Sequence, residues 1–392
     1  MNICLISTRF PPEDGGGIGT YIFNLSKGLV ELGNTVHIIT ATSHTDYTTE
    51  QEGSLLIHRL PKKTFPLVEP YFPGLRWSTQ IYQLIKKLHK FSPIELIEFP
   101  NWEASGIASQ LLLDIPTVVR AHTPLFEILR INGREIGFGD KMACRFEEWS
   151  CRKAKQLVTS TRFHAKTISN EYNIDINYIR ILSLGIIDKN PNDKVIKSQG
   201  NLFKILYVSR LEHRKGTLAF LRSIPYIHKQ YQNIQVDIIG TDRAHAPGGI
   251  KFQQFFNENF SDYSEAVTFH GFVDDLMLDL FYKEADILVV PSVYESFGLI
   301  YVEAMMYGVP SVATVAGGIP EVITNGVDGF TIGINDCKQI AKCVIDLIND
   351  QVLLNTMRHA ARETFKNNYD YLVMSKNTDQ LYQKLINDKR RS

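Results

Sequence analysis

The chain has 392 residues, 44% hydrophobic and 21% charged, the proportions of a globular protein long enough for two ordinary domains. Lys plus Arg balances Asp plus Glu at 42 each, so the formal charge is zero and argues against a nucleic-acid partner; any anion site must be local. The five cysteines (Cys4, Cys144, Cys151, Cys337, Cys343) are odd in number and show no Cys-x2-Cys spacing, which argues against a disulfide framework or a zinc site and for reduced thiols.

In chain order, Asn2-Ile-Cys-Leu-Ile-Ser7 is a short apolar run, without the basic start or the length of a signal peptide. It reads as a strand. A glycine-rich loop, Gly15-Gly-Gly-Ile-Gly19, follows, and then a helix over residues 21–32 stopped by Gly33. Strands are expected at 35–40, 56–60, 95–99, 117–122 and 157–160; several are continuously apolar, as in a parallel sheet covered on both faces. Between them, Tyr71-Phe-Pro-Gly-Leu-Arg-Trp77 leads into an amphipathic helix over 81–90. Its Lys86, Lys87 and Lys90 would suit peripheral contact with anionic lipid, although packing on its own domain is the favoured reading.

The polar stretch Asp188-Lys-Asn-Pro-Asn-Asp-Lys-Val-Ile-Lys-Ser-Gln-Gly200 reads as an interdomain linker, placed at 188–202. Beyond it, Lys204-Ile-Leu-Tyr-Val-Ser-Arg210 echoes the N-terminal run. Further strands are expected at 236–240, 267–270, 287–291, 311–314 and 329–332, with helical patterns between most of them. Alternation of strand and helix in both halves implies two doubly wound α/β sheets, over residues 1–187 and 203–370. No segment offers ~20 uninterrupted apolar residues, so the expectation is a cytoplasmic protein.

The most informative stretch is Glu295-Ser-Phe-Gly-Leu-Ile-Tyr-Val-Glu303. It reads as a loop and then a helix over 297–307. Glu295 falls on the loop and Glu303 about two turns into the helix. Free N–H groups at a helix start seat anions, and two carboxylates can grip hydroxyls, a combination that suits a sugar nucleotide. Three other stretches stand beside it: Arg210-Leu-Glu-His-Arg-Lys215, the glycine loop, and Gly317-Gly-Ile-Pro-Glu321 followed by Asn325-Gly-Val-Asp-Gly329.

In their order along the chain the four stretches resemble the retaining GT-B glycosyltransferases of glycosyltransferase family 4, the "glycosyl transferases group 1" type, over nearly the whole chain. The resemblance implies two Rossmann-like domains facing across a cleft, an N-terminal acceptor domain and a C-terminal nucleotide-sugar domain. It also implies a last helix, 371–392, that returns to the first domain. Arg210 and Lys215 would hold the leaving diphosphate, with Arg214 as a neighbouring decoy. Glu295 would grip hydroxyls of the transferred sugar and Glu303 the ribose. Phe297, Gly298 and Leu299 would supply backbone donors, Phe272 and Val273 would read the nucleobase, and Gly16, Gly17 and Gly19 would let backbone approach the diphosphate. His122, at the end of Val118-Val-Arg-Ala-His122, would orient the donor or assist proton transfer. Glu98 and Glu321 are acceptor-side candidates.

No Asp-x-Asp and no dinucleotide fingerprint are present, so neither a metal nor a nicotinamide cofactor is expected. The expected activity is transfer from a UDP- or GDP-sugar to a glycan, a lipid-linked sugar or a small metabolite. The alternatives are a sugar-nucleotide epimerase of the same architecture and a non-catalytic nucleotide-sugar-binding subunit. One stretch departs from the family pattern: Ser183-Leu-Gly-Ile-Ile-Asp188 stands where Asn-Gly-Ile/Val-Asp is common, which bears on the hinge more than on the chemistry.

Overall fold

The computed structural model describes residues 1–12, 16–63, 68–69, 71–131, 133, 136–192 and 202–391. Gly15 and linker residues 193–201 lie outside the described residues. The chain forms two compact units, Met1–Ile187 with Tyr369–Ser392, and Asp188–Asn368.

The first unit carries β1 (Asn2–Ser7), β2 (Thr35–Thr42), β3 (Thr48–Glu52), β4 (Leu55–Pro61), β5 (Leu96–Pro100), β6 (Thr117–Arg120), β7 (Gln156–Thr159) and β8 (Ile179–Ile181). Their order across the sheet is β3-β4-β2-β1-β5-β6-β7-β8, parallel except for the antiparallel pair β3–β4. β1 and β5 are apolar without alternation because helices cover both faces, and all of β5 is buried. β3, Thr-Thr-Glu-Gln-Glu, is exposed throughout; a polar edge strand leaves no hydrophobic pattern, so sequence reading passes it by. β8 is only three residues long and was missed for the same want of signal.

The helix Leu75–Phe91 starts six residues before its expected boundary. It buries Trp77, Ile81, Leu84 and Ile85 against Cys4, Ile6, Ile97 and Phe99 of the sheet, and leaves Lys86, Lys87 and Lys90 in solvent. Among the described residues no helix is long and apolar enough to cross a membrane.

The final helix, Tyr371–Arg391, belongs to the first unit. Its Tyr382 hydroxyl donates to Glu98 Oε2 at 2.6 Å, and the Tyr21 hydroxyl donates to Glu98 Oε1 at 2.6 Å. Arg120 reaches the same Oε1 from 3.4 Å and lies over the Tyr21 ring, 4.5 Å from its centroid. Glu98 and Arg120 are each 1% exposed. A buried carboxylate is tolerable only when its lone pairs are taken, and here two phenols and a guanidinium take them. Asp379 adds an acceptor for Asn34 at 2.7 Å.

The second unit carries β9 (Phe203–Val208), β10 (Ile234–Ile239), β11 (Val267–Gly271), β12 (Ile287–Val289), β13 (Ser311–Thr314) and β14 (Gly329–Ile332). Their order is β11-β10-β9-β12-β13-β14, and every pair is parallel. Each sheet reverses its winding once, between β1 and β5 in the first unit and between β9 and β12 in the second. In open parallel sheets, ligands bind outside the carboxyl ends of the strands at such a reversal. The fold therefore points at the loops after β1 and β5, and at those after β9 and β12.

Replacing Tyr382 by Phe removes one donor from a buried carboxylate. The expected cost is about 1–3 kcal/mol, read as a lower urea midpoint for the unfolding of the first unit. A midpoint equal to the wild type's contradicts this account of how the last helix is held.

Candidate functional site

In the second unit, the loop after β9 carries Arg210 and Lys215 and the loop after β12 carries Glu295. The two loops are clamped together. Val293 N donates to Arg214 O at 2.9 Å. Gly216 has φ +68°, and a Cβ there would lie 1.9 Å from Pro291 O. Gly317 has φ +63°, and its Cβ would lie 2.1 Å from Glu295 O. No side chain fits at either position, so glycine is what lets three loops meet at the reversal of the sheet.

Lys215 Nζ donates to Glu295 Oε1, and Ser292 Oγ donates to the same oxygen at 3.0 Å. Burial pushes the Glu295 carboxyl up, but the Lys215 and Arg214 charges with the Lys215 and Ser292 hydrogen bonds outweigh it and hold it below the usual carboxylate range. Arg214 stands 3.8 Å from Glu295, 3.0 Å from Glu212 and 3.4 Å from Tyr294 O. It braces the loop. Arg210 has a side chain 56% exposed and meets Glu212 at 3.4 Å, so its guanidinium is the most solvent-facing of the three cations.

The helix after this loop runs Leu299–Met306, two residues shorter at its start than expected. Phe297 and Gly298 therefore lie before it. Phe297 is 3% exposed and buries its ring, and Gly298, at φ 96°, turns the chain into the helix. Leu299 opens the helix, and Glu303 lies little more than one turn in, not two. The Tyr282 hydroxyl donates to Glu303 Oε2 at 3.0 Å. Burial pushes the Glu303 carboxyl up to about 7, against the pull of the Tyr282 hydrogen bond and of Lys189, and Asp275 and Asp279 add to the rise. At the end of β11, Phe272 is 84% exposed and Val273 half-buried. Glu321 is exposed on the short helix Ile319–Val322.

In the first unit the glycine segment is not a loop: Gly16, Gly17 and Gly19 form the first turn of the helix Gly16–Glu31. Gly16 and Gly17 border a cavity of about 260 Å³ with Thr8, Arg9, Trp102 and Glu103, at the carboxyl ends of β1 and β5. His122 lies two residues beyond β6, half-buried, with its ring edge-on to Tyr21 at 5.6 Å. Burial, then the charges of Arg120 and His164, push its imidazole down to about 3, so it is neutral at physiological pH.

Glu98 requires a correction. Read from sequence as an acceptor-side residue, it is buried at 1% exposure with both oxygens engaged by Tyr21, Tyr382 and Arg120. Its work is to tie the last helix to the sheet. Sequence reading also missed Ser292, Tyr282, Trp102 and Glu103. The last two follow β5 directly, and position after a strand was the one available signal. Among the described residues no three His, Cys, Asp or Glu side chains group to hold a metal ion.

The raised pKa of Glu303 makes stability depend on pH. The folded protein keeps a proton that the unfolded chain loses near 4.5, so the stabilising contribution is whole below about 4.5 and is lost as pH rises through about 7. Glu303→Gln cannot ionise. Thermal melts should show the wild type losing ground to this variant across that interval, and parallel melting curves would remove the basis for a proton on Glu303.

Comparison with known proteins bears on the whole chain. Residues 15–189 match the Glycosyltransferase Family 4 model, and residues 188–364 match Glycosyl transferases group 1. Glycogen synthase of Mycobacterium tuberculosis is 23% identical over 97% of this chain and 94% of the relative. Sucrose-phosphate synthase of Thermosynechococcus elongatus shares the fold, with a TM-score of 0.77 and 19% identity over 99% of each chain. HepE of Anabaena, solved in complex with UDP and glucose, shares it with a TM-score of 0.68 and 15% identity over 97% of this chain and 99% of that one. Two α/β units with parallel sheets, each reversing beside a conspicuous loop, and family matches on both halves make this chain a GT-B glycosyltransferase of family 4.

Proposed function

We propose that the protein is a retaining, metal-independent glycosyltransferase that moves a sugar from a UDP- or GDP-sugar to an acceptor hydroxyl. The unit Asp188–Asn368 takes the donor and the unit that begins the chain takes the acceptor. The observation that carries this reading is the arrangement of Arg210, Lys215 and Glu295 at the reversal of the second sheet, with Glu303 one turn into the next helix. HepE binds UDP and glucose on the same fold, which supports a nucleotide sugar as donor. Glycogen synthase, as a full-length relative, supports a glycan among the candidate acceptors.

The chemistry is a substitution at the anomeric carbon. The bond from that carbon to the diphosphate oxygen breaks, and a bond to the acceptor oxygen forms on the same face. The acceptor proton passes to the departing diphosphate. Charge develops on that diphosphate, and Arg210 with Lys215 neutralises it. Arg210 is the exposed cation and meets the phosphates first. Lys215 is shared with Glu295, so the bound diphosphate draws on a charge already fixed in place. Glu295, held ionised, accepts from hydroxyls of the sugar. Glu303 in its ionised form accepts from the ribose diol, which favours donor binding above about pH 7.

A labelled-donor transfer assay tests this. Arg210→Ala is expected to lower turnover at least ~100-fold while remaining folded, and a chelator is expected to leave turnover unchanged. Near-normal turnover in that variant, or loss of activity on chelation, overturns the charge model. The anomeric configuration of the product, read by NMR, decides retention. Donor incubated alone that yields an epimer indicates isomerase chemistry instead.

A further inference from the structure

The first unit holds a second cavity, of about 160 Å³, against the one beside Gly16 and Gly17. The two share Trp102 and Glu103 as a common wall. The second chamber is also lined by Lys62, Phe146 and Glu147.

That wall is held in an unusual backbone. Glu103 and Ala104 sit at φ 58° and 44°, a region that costs a non-glycine residue strain energy. Gly74 is pressed against the turn, since a Cβ there would lie 2.6 Å from Glu103 O. The Glu103 side chain is equally fixed. Lys62 Nζ donates to its Oε1 at 2.9 Å and its Oε2 at 2.7 Å, and Thr8 Oγ1 donates to Oε2 at 3.4 Å. Thr8 lines the glycine chamber and Lys62 the second one, so the carboxylate stands on the partition between them. Glu147 is 2% exposed, and its Oε2 accepts from Leu125 N at 3.0 Å and the Tyr172 hydroxyl at 3.4 Å. Burial pushes it up to about 8, so at neutral pH it adds a polar but uncharged group.

The lining selects its ligand by exclusion. The Lys62 charge is consumed by Glu103, which leaves little for a phosphate. An acyl chain would bury the Lys62–Glu103 pair and Glu147 against hydrocarbon, which is costly. A sugar ring presents apolar C–H faces and an equator of hydroxyls, and this chamber presents an indole, a phenyl ring and planar polar groups. Strong aromatic walls with a few placed polar groups are the usual make-up of a small-molecule site.

We propose that the second chamber is the acceptor subsite and takes an uncharged sugar ring, stacked on Trp102, with Glu103 accepting from the hydroxyl that faces the glycine chamber. This rests on the reading that the segment with Gly16 and Gly17 meets the donor. It narrows the acceptor to a glycan or glycoside end.

Saturation-transfer NMR on the full chain with UDP present tests the assignment. The probes are the methyl glycosides of glucose, galactose, mannose and N-acetylglucosamine, with myo-inositol 1-phosphate as the charged comparison. At least one glycoside should receive saturation through its ring protons. Trp102→Ala should weaken it about tenfold or more, and Trp102→Phe should restore most of the loss. Glu103→Gln should weaken it several-fold, roughly as a hydrogen bond to a charged group would. The proposal fails if no glycoside binds, if affinity is unchanged in a folded Trp102→Ala, or if the inositol phosphate binds more tightly. Should Trp102→Ala not fold, unchanged affinity in Glu103→Gln is equally fatal. Titration of UDP-glucose and GDP-mannose onto the wild type stands apart: donor binding without glycoside binding sinks the chamber alone, and glycoside binding without donor binding sinks the donor reading.

Discussion

The contact between Lys215 and Glu295 governs the second unit. A carboxylate this enclosed would take up a proton if left alone, and a lone ammonium beside it would be costly to desolvate. Together, with Ser292 and Arg214 at hand, they stay in register, and the Glu295 carboxyl is held below the usual carboxylate range. Breaking such a pair from one side leaves an uncompensated charge, so each partner is constrained by the other. Gly216 and Gly317 are the steric condition for the contact, because each brings backbone to within a distance no Cβ allows. The consequence is a charge distribution set by folding. On the proposed function, a distribution set in advance stabilises a leaving group without dipoles having to reorganise.

A comparable logic operates in the first unit with different residues. Glu98 and Arg120 form a buried pair whose hydrogen bonds are completed by Tyr21 and Tyr382. Tyr21 also touches His122 edge-on, so a structural pair reaches a candidate site residue through one aromatic ring. Beyond the same strand that carries Glu98, Trp102 and Glu103 form the partition between two cavities. Strand β5 therefore has two neighbourhoods: its middle anchors the fold, and the chain just beyond its carboxyl end borders two cavities.

Much of this architecture was legible in the residues. The continuous apolar runs of β1, β9 and β12 announce parallel strands, and Arg210, Lys215 and Glu295 fall, as their positions after those runs suggest, on the loops after β9 and β12. What sequence could not convey falls into physical classes. β3 is polar on both faces and has no period to detect. The first helix starts in glycines, poor helix formers by propensity, whose placement is set by packing: a Cβ at Gly19 would stand 2.7 Å from Arg9 O. Glu98 was misjudged because its partner Tyr382 lies 284 residues away, a pairing that local pattern cannot encode. An acidic residue inside a doubly covered strand was itself the clue, since burial there demands a buried partner. Trp102 and Glu103 carry no motif, and their importance emerges only when a strained turn and a cavity are seen together.

The discontinuity of the first unit has a bearing on biosynthesis. On the ribosome, residues 1–187 emerge long before Tyr371–Arg391, with the whole of the second unit translated in between. Until those late residues arrive, the carboxylate of Glu98 lacks the Tyr382 hydroxyl, and the groove along Gly28 lies bare where Ser375 will later pack. The nascent first sheet must wait in an unfinished state while its successor matures. Premature termination just ahead of Tyr371 would thus strike hardest at the portion made first.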